Sequence, residues 1–99
     1  MYKEVFWSDD AKLDIEEITD FLLVKWNVDI VEEFYNNIDE FISRIGKNSQ
    51  AFPLINPQEG IRKCVVSWHN TIYYVDELEY VEILRISDNR QDPKRFRFQ

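Results

Sequence analysis

Apolar residues recur at helical spacing in the first half of the chain and at strand spacing in the second. Ala11, Ile15, Ile18, Leu22 and Trp26 lie four, three, four and four residues apart, which marks one buried stripe of an amphipathic helix. Ser8 supplies an N-cap, and Asp9 and Asp10 suit the positive end of the helix dipole. Asp14, Glu17 and Asp20 fall largely off the stripe and are expected to face water. The helix should stop near Asn27. Asp29, with Glu32 three residues on, has the form of a capping box and opens a second helix. Its stripe runs Val31, Phe34, Ile38, Phe41 and Ile45, at spacings of three, four, three and four. So short a connection makes the helices an antiparallel hairpin.

Ahead of the hairpin, Tyr2 to Trp7 is aromatic and partly β-branched and reads as a strand. Behind it, Gly46 to Gly60 is rich in Gly, Pro, Asn and Ser and reads as a loop. Three strands follow, Ile61 to Ser67, Thr71 to Val75 and Tyr80 to Ser87, with Trp68-His69-Asn70 and Asp76-Glu77 as turns. Strands so closely spaced pair as an antiparallel meander. The predicted fold is α+β. An N-terminal strand, an antiparallel helical hairpin and a three-stranded meander forming a small twisted sheet make one domain over residues 1–99. The sheet is needed, because the apolar inner faces of two helices must be covered.

Composition narrows the setting. The 99 residues are 44% hydrophobic and 15% aromatic, enough for one core and too apolar for a disordered chain. The single cysteine, Cys64, excludes an internal disulfide framework. There is no signal-peptide pattern at the N-terminus and no apolar run of the roughly 20 residues that span a bilayer. A soluble protein of the cytoplasm is expected. The net charge of −7 is uneven: residues 1–46 hold four basic and twelve acidic side chains, residues 47–99 eight and seven. Arg85 to Arg97 carries five cations against Asp88 and Asp92. Nonspecific nucleic-acid binding by the whole acidic molecule is disfavoured. This basic end is where a target is expected to be met.

Most familiar catalytic signals are missing, including GxGxxG, the P-loop, HExxH and any Cys/His cluster with metal spacing. With His69 the only histidine, neither a metal nor a cofactor is expected. Cys64, mid-strand and single, reads as a packed thiol. Arg62 opens the first meander strand on the face of Cys64 and Val66. Arg85 interrupts an apolar strand on the face of Val81 and Ile83, and is either half of an ion pair with a helix acid or an anion contact. Asp88-Asn89-Arg90-Gln91-Asp92-Pro93 leaves the last strand as a turn. Lys94 and Arg95 then stand beside Phe96 and Phe98, and cations among aromatics can grip phosphates or anchor a protein interface.

These features together resemble toxins of the RelE/ParE superfamily of bacterial type II toxin–antitoxin systems. The resemblance rests on Phe6-Trp7-Ser8-Asp9-Asp10-Ala11 with Asp14-Ile15 and Ile18, and on Gly60-Ile61-Arg62-Lys63 leading to His69-Asn70-Thr71-Ile72-Tyr73-Tyr74. Val81-Glu82-Ile83-Leu84-Arg85-Ile86 and Asp88-Asn89-Arg90-Gln91-Asp92-Pro93 close it, so that it covers nearly the whole chain. It implies a helical hairpin against a small antiparallel sheet, a cognate antitoxin as partner and a role in plasmid stabilisation. Two activities follow from it. The RelE-like one is ribosome-dependent cleavage of mRNA, for which Arg62, Arg90 and His69 would be the catalytic residues. The ParE-like one is inhibition of DNA gyrase without hydrolysis. Cys64, Thr71 and Phe96 stand where the ribonucleases resembled here have lysine, arginine and tyrosine, which favours the ParE-like branch. Arg85, Asp88, Asn89, Arg90, Lys94, Arg95 and Phe96 would then contact target or antitoxin, with exposed aromatics such as Trp68 or Phe98 adding to it. A non-toxic binding module is the remaining alternative.

Overall fold

The computed structural model describes residues 2–91, so Lys94, Arg95, Phe96 and Phe98 lie outside the described residues. The elements run β1 (Glu4–Trp7), α1 (Asp9–Lys25), α2 (Val28–Lys47), β2 (Leu54–Asn56), β3 (Ile61–Val65), β4 (Asn70–Asp76) and β5 (Tyr80–Asp88). The fold is the α+β arrangement that the periodicities predict. The sheet order is β1-β5-β4-β3-β2. Among the described strands only the β1–β5 pair is parallel, and it places β1 beside β5.

Ser8 caps α1 as expected, its Oγ accepting from the Ala11 amide at 3.0 Å. The start of α2 differs. Its N-cap is Asn27, in extended conformation, whose Oδ1 accepts from the Ile30 amide at 3.0 Å. Asp29 is not a cap; it sits in the first turn, where its charge complements the dipole. The link between the helices is therefore tighter than a capping box at Asp29 requires. Trp26, assigned to the first stripe, lies in this link and is 55% exposed.

The interval from Gly46 to Gly60 is not all loop. Gly46 is buried within α2, its carbonyl taking the Lys3 amide at 2.8 Å. Further on, β2 adds an edge strand to β3 with an irregular register. Gly60 closes that turn at φ 73°, a left-handed conformation that glycine adopts without a Cβ penalty. The three meander strands lie where expected, with ends shifted by one or two residues.

Both helices contribute to one core against the sheet. Ala11, Ile18, Leu22, Val31, Phe34, Ile38 and Ile45 meet Cys64, Ile72, Tyr74, Val81, Ile83 and Ile86. In β5 the register against β4 slips between Tyr73 and Tyr74, whose partners are Arg85 and Ile83. Leu84 is thus a bulge residue, and the bulge resets which side chains face inward. Val81 and Ile83 are buried before it, Ile86 and Asp88 after it. Arg85 consequently leaves the face of Val81 and Ile83 on which strict alternation places it.

Candidate functional site

The residues singled out at the end of β5 meet the β3–β4 turn in one hydrogen-bonded knot. The turn is shaped by Val66 and Ser67 amides donating to the Asn70 carbonyl at 2.9 and 3.3 Å. Asn89 then stitches β5 to it. Its amide donates to the His69 carbonyl at 2.9 Å, its Nδ2 to the Trp68 carbonyl, and its Oδ1 lies 3.1 Å from His69 Nδ1. With Asn89 oriented so, the contact to its Oδ1 is one in which His69 Nδ1–H donates.

Beneath this stitch, Asp88 is the hub. Its buried carboxylate accepts from Arg90 Nη2 at 2.6 Å, Arg90 Nε at 3.0 Å, the Arg90 amide at 2.9 Å and Asn70 Nδ2 at 2.9 Å. Burial alone would raise the Asp88 pKa, but the hydrogen bonds from Arg90 and Asn70 and the guanidinium charge outweigh it and hold the pKa low. The Arg90 side chain is only 13% exposed, so its charge is spent largely within the chain.

The other two candidate arginines are also held. Arg85 grips Asp14 of α1 with Nε at 2.8 Å and Nη2 at 2.9 Å, and the Ile86 amide adds a third bond at 2.9 Å. The hydrogen bond to Asp14 raises the Arg85 pKa, with burial opposing. Asp14, expected to face water, is buried. The reason lies in the sheet. β1 covers β5 only as far as Ile83, so the chain beyond it supplies the missing partners: Ser8 bonds to the Ile83 and Leu84 carbonyls, Asp14 to the Ile86 amide.

Arg62 donates to the Phe52 carbonyl at 2.8 Å and lies at the opposite end of β3 from His69. The length of β3, on the order of 15 Å at about 3.3 Å per residue, separates the two. The fold therefore joins His69, Asp88, Asn89 and Arg90 and leaves Arg62 and Arg85 elsewhere. Cys64, buried with its pKa pushed up to about 12 chiefly by desolvation, is no nucleophile.

A cleft of about 270 Å³ opens beside the knot, lined by Glu33, Phe34 and Asn37 of α2 and by Ser67, Trp68, His69, Asn70 and Arg90. Glu33 and Asn37 carry no motif, and only the fold brings them to the turn; Ser67 adjoins it in sequence. Asn70 is legible in the sequence as a turn residue but not as a ligand of Asp88. Among the described residues, no three His, Cys, Asp or Glu side chains are grouped to hold a metal ion, and no helix is long and apolar enough to cross a membrane.

The likeness to known proteins extends over almost the whole chain. No curated protein sequence matches it. In fold it is similar to a chain of the chromosomal ParDE toxin–antitoxin system from P. aeruginosa, with a TM-score of 0.74 at 18% identity over 88% of this chain and 96% of that one. The E. coli DinJ-YafQ toxin–antitoxin complex gives 0.61 at 11% identity, over 91% and 96%. YafQ from E. coli strain BL21(DE3) gives 0.59 at 12%, over 89% and 94%. The profile of the family described as ParE toxin of type II toxin-antitoxin system, parDE, matches residues 5–93, and the chain belongs to that family.

Proposed function

We propose that this chain is a cytoplasmic toxin that arrests growth by inhibiting DNA gyrase and is neutralised by a cognate antitoxin. Membership of the ParE family over residues 5–93 supports the class of activity. The observation that carries the choice of a protein target over RNA is the state of the arginines. Arg62 is held by a backbone carbonyl, Arg85 by Asp14 and Arg90 by Asp88. Cleaving RNA beside its 2′-hydroxyl needs cations that stabilise charge on phosphate. Among the described residues, these three arginines are dispersed, and Arg85 and Arg90 are matched by carboxylates, on a molecule of net charge −7.

The test is a supercoiling assay with purified gyrase, run beside cleavage of mRNA on programmed ribosomes. Loss of supercoiling without site-specific cuts supports the proposal; site-specific cuts with normal supercoiling overturn it. Co-expression with a cognate antitoxin should restore growth. The ribonuclease reading retains one favourable feature, an exposed His69 ring that is tied through Nδ1 to Asn89 and lines the same cleft as Arg90, since histidine is the commonest general base. The ribosome assay decides it.

A further inference from the structure

Two of the three tryptophans stand in water at one end of the molecule. Trp68, in the β3–β4 turn, is 92% exposed, and Trp26, in the link between the helices, is 55% exposed. The folding of α2 brings them to the same end. Glu33, Phe34 and Asn37, in the first half of that helix, share a cleft with Trp68, and the link lies just ahead of them. From Val28 to Phe34 the helix rises only about 9 Å. Val24 and Val28 flank Trp26 and are themselves 80% and 59% exposed. A lone exposed apolar residue is ordinary, but a group of them at one end marks a contact surface.

Both rings sit on turns whose backbone is already fixed. Around Trp68, the Val66 and Ser67 amides bond to the Asn70 carbonyl, the His69 amide to Ser67 Oγ at 3.2 Å, and Asn89 to the Trp68 and His69 carbonyls. Around Trp26, its own amide bonds to the Leu22 carbonyl at 2.8 Å, and Asn27 Oδ1 accepts from the Ile30 amide. None of these bonds uses an indole. A ring mounted on ordered backbone loses little conformational freedom when a partner buries it, and tryptophan is enriched among the residues that carry most of an interface's energy.

We propose that this end of the molecule docks on gyrase, with Trp68 as the main anchor and Trp26, Val24 and Val28 beside it. The docking rests on the gyrase reading above and adds to it the residues that make the contact. A ring exposed on nearly all sides must be enveloped to be desolvated, and the two rings stand on separate turns of different elements. A single peptide segment covers one face of such a ring. The breadth and the pockets that both turns require belong to a large folded protein. Both anchors are apolar, so the docking does not depend on the net charge of this end.

The test uses the full chain in a titration of gyrase supercoiling and in hydroxyl-radical footprinting with and without gyrase. Trp68→Ala should raise the concentration for half-inhibition about 30-fold and Trp26→Ala about tenfold, with Trp68→Phe recovering part of the loss. Leu78→Ala is the control: it is 89% exposed but lies in the β4–β5 turn at the other end of β4, and it should change the value by less than about twofold. Unchanged far-UV circular dichroism spectra check the fold of each variant. Radicals should oxidise Trp26 and Trp68 readily in the free chain, and gyrase should protect both while leaving Leu78 open. Either ring protected in the free chain, Trp68→Ala inhibiting as well as the parent, or an equal loss in Leu78→Ala would each overturn the assignment. So would variants that inhibit normally and lose only the cognate antitoxin. A parent chain without effect on supercoiling overturns the gyrase reading itself, and this docking with it.

Discussion

Asp14 and Arg85, 71 residues apart, form a two-point ion pair that fastens α1 to the bulged stretch of β5. The same carboxylate takes the buried Ile86 amide. Three donors thus converge on one acid, which is both a salt-bridge partner and a substitute for the strand that β5 lacks beyond Ile83.

Asp14→Ala strips the acceptor from a mostly buried guanidinium and from a buried amide at once. The expected loss is about 2–4 kcal/mol, or a fall in Tm of roughly 10–25 °C for a domain of this size. Asp14→Asn keeps one oxygen for Ile86 and should lose less. Thermal unfolding followed by circular dichroism measures both. A loss from Asp14→Ala within about 0.5 kcal/mol, the range of ordinary surface substitutions, would mean that the pair does not hold α1 in place.

Asp88 sets an acid limit on stability. Its pKa is held low in the fold, burial being outweighed by the bonds from Arg90 and Asn70, and Asp76 is lowered likewise by Lys3 and polar neighbours against burial. A depressed carboxylate contributes fully above its unfolded pKa, about 3.9, and its contribution vanishes as pH falls through the folded value. Urea midpoints should therefore fall steeply below about pH 4. Asp88→Asn should lower the midpoint at neutral pH and flatten this dependence. An equally steep fall in Asp88→Asn would assign the acid sensitivity to other groups.

The second helix was legible because its stripe is purely apolar: Val31, Phe34, Ile38 and Ile45 are buried as spaced. The first helix misleads because apolar residues surround it, with Leu13, Leu23 and Val24 exposed. Its buried line is Ala11, Asp14, Ile18 and Leu22. An acid occupies a core position there because its partners lie 71 and 72 residues on, beyond any local pattern. The order Val81, Ile83, Leu84, Ile86 in β5 does break strict alternation, and that break is the sequence trace of the bulge. β2 leaves no trace, since Leu54–Asn56 is a strand only through the edge that β3 offers. At the candidate site, Asp88, Asn89 and Arg90 announced themselves as a turn after a strand. Their neutralisation of one another, and the approach of Glu33, depend on contacts that only the folded chain makes.

The tight link between the helices yields a paired prediction. Asn27 is the N-cap of α2 and Asp29 a first-turn acid. Asn27→Ala should cost about 1 kcal/mol. Asp29→Ala removes only a favourable charge near the helix terminus and should cost roughly 0.3–0.5 kcal/mol, shrinking with added salt. Urea unfolding at low and high salt separates them. The reverse ranking would restore Asp29 as the cap.

His69 divides the two activities open to this fold. Its ring is exposed, and its described hydrogen bonds join only the turn and Asn89, so His69→Ala should leave stability within about 0.5 kcal/mol of the parent. Under the gyrase reading the substitution removes no general base from any chemical step, and inhibition of supercoiling should change by no more than about twofold. Under the ribonuclease reading the same change deletes the acid–base group, and mRNA cleavage should fall about 10²–10⁴-fold. Arg62→Ala is the companion variant. Its position a strand's length from His69 means that its loss should act through the Phe52 loop on stability, and not on either activity beyond the fraction unfolded. A selective loss of cleavage in both variants, with folding intact, would place Arg62 and His69 in one site and reverse the choice of target.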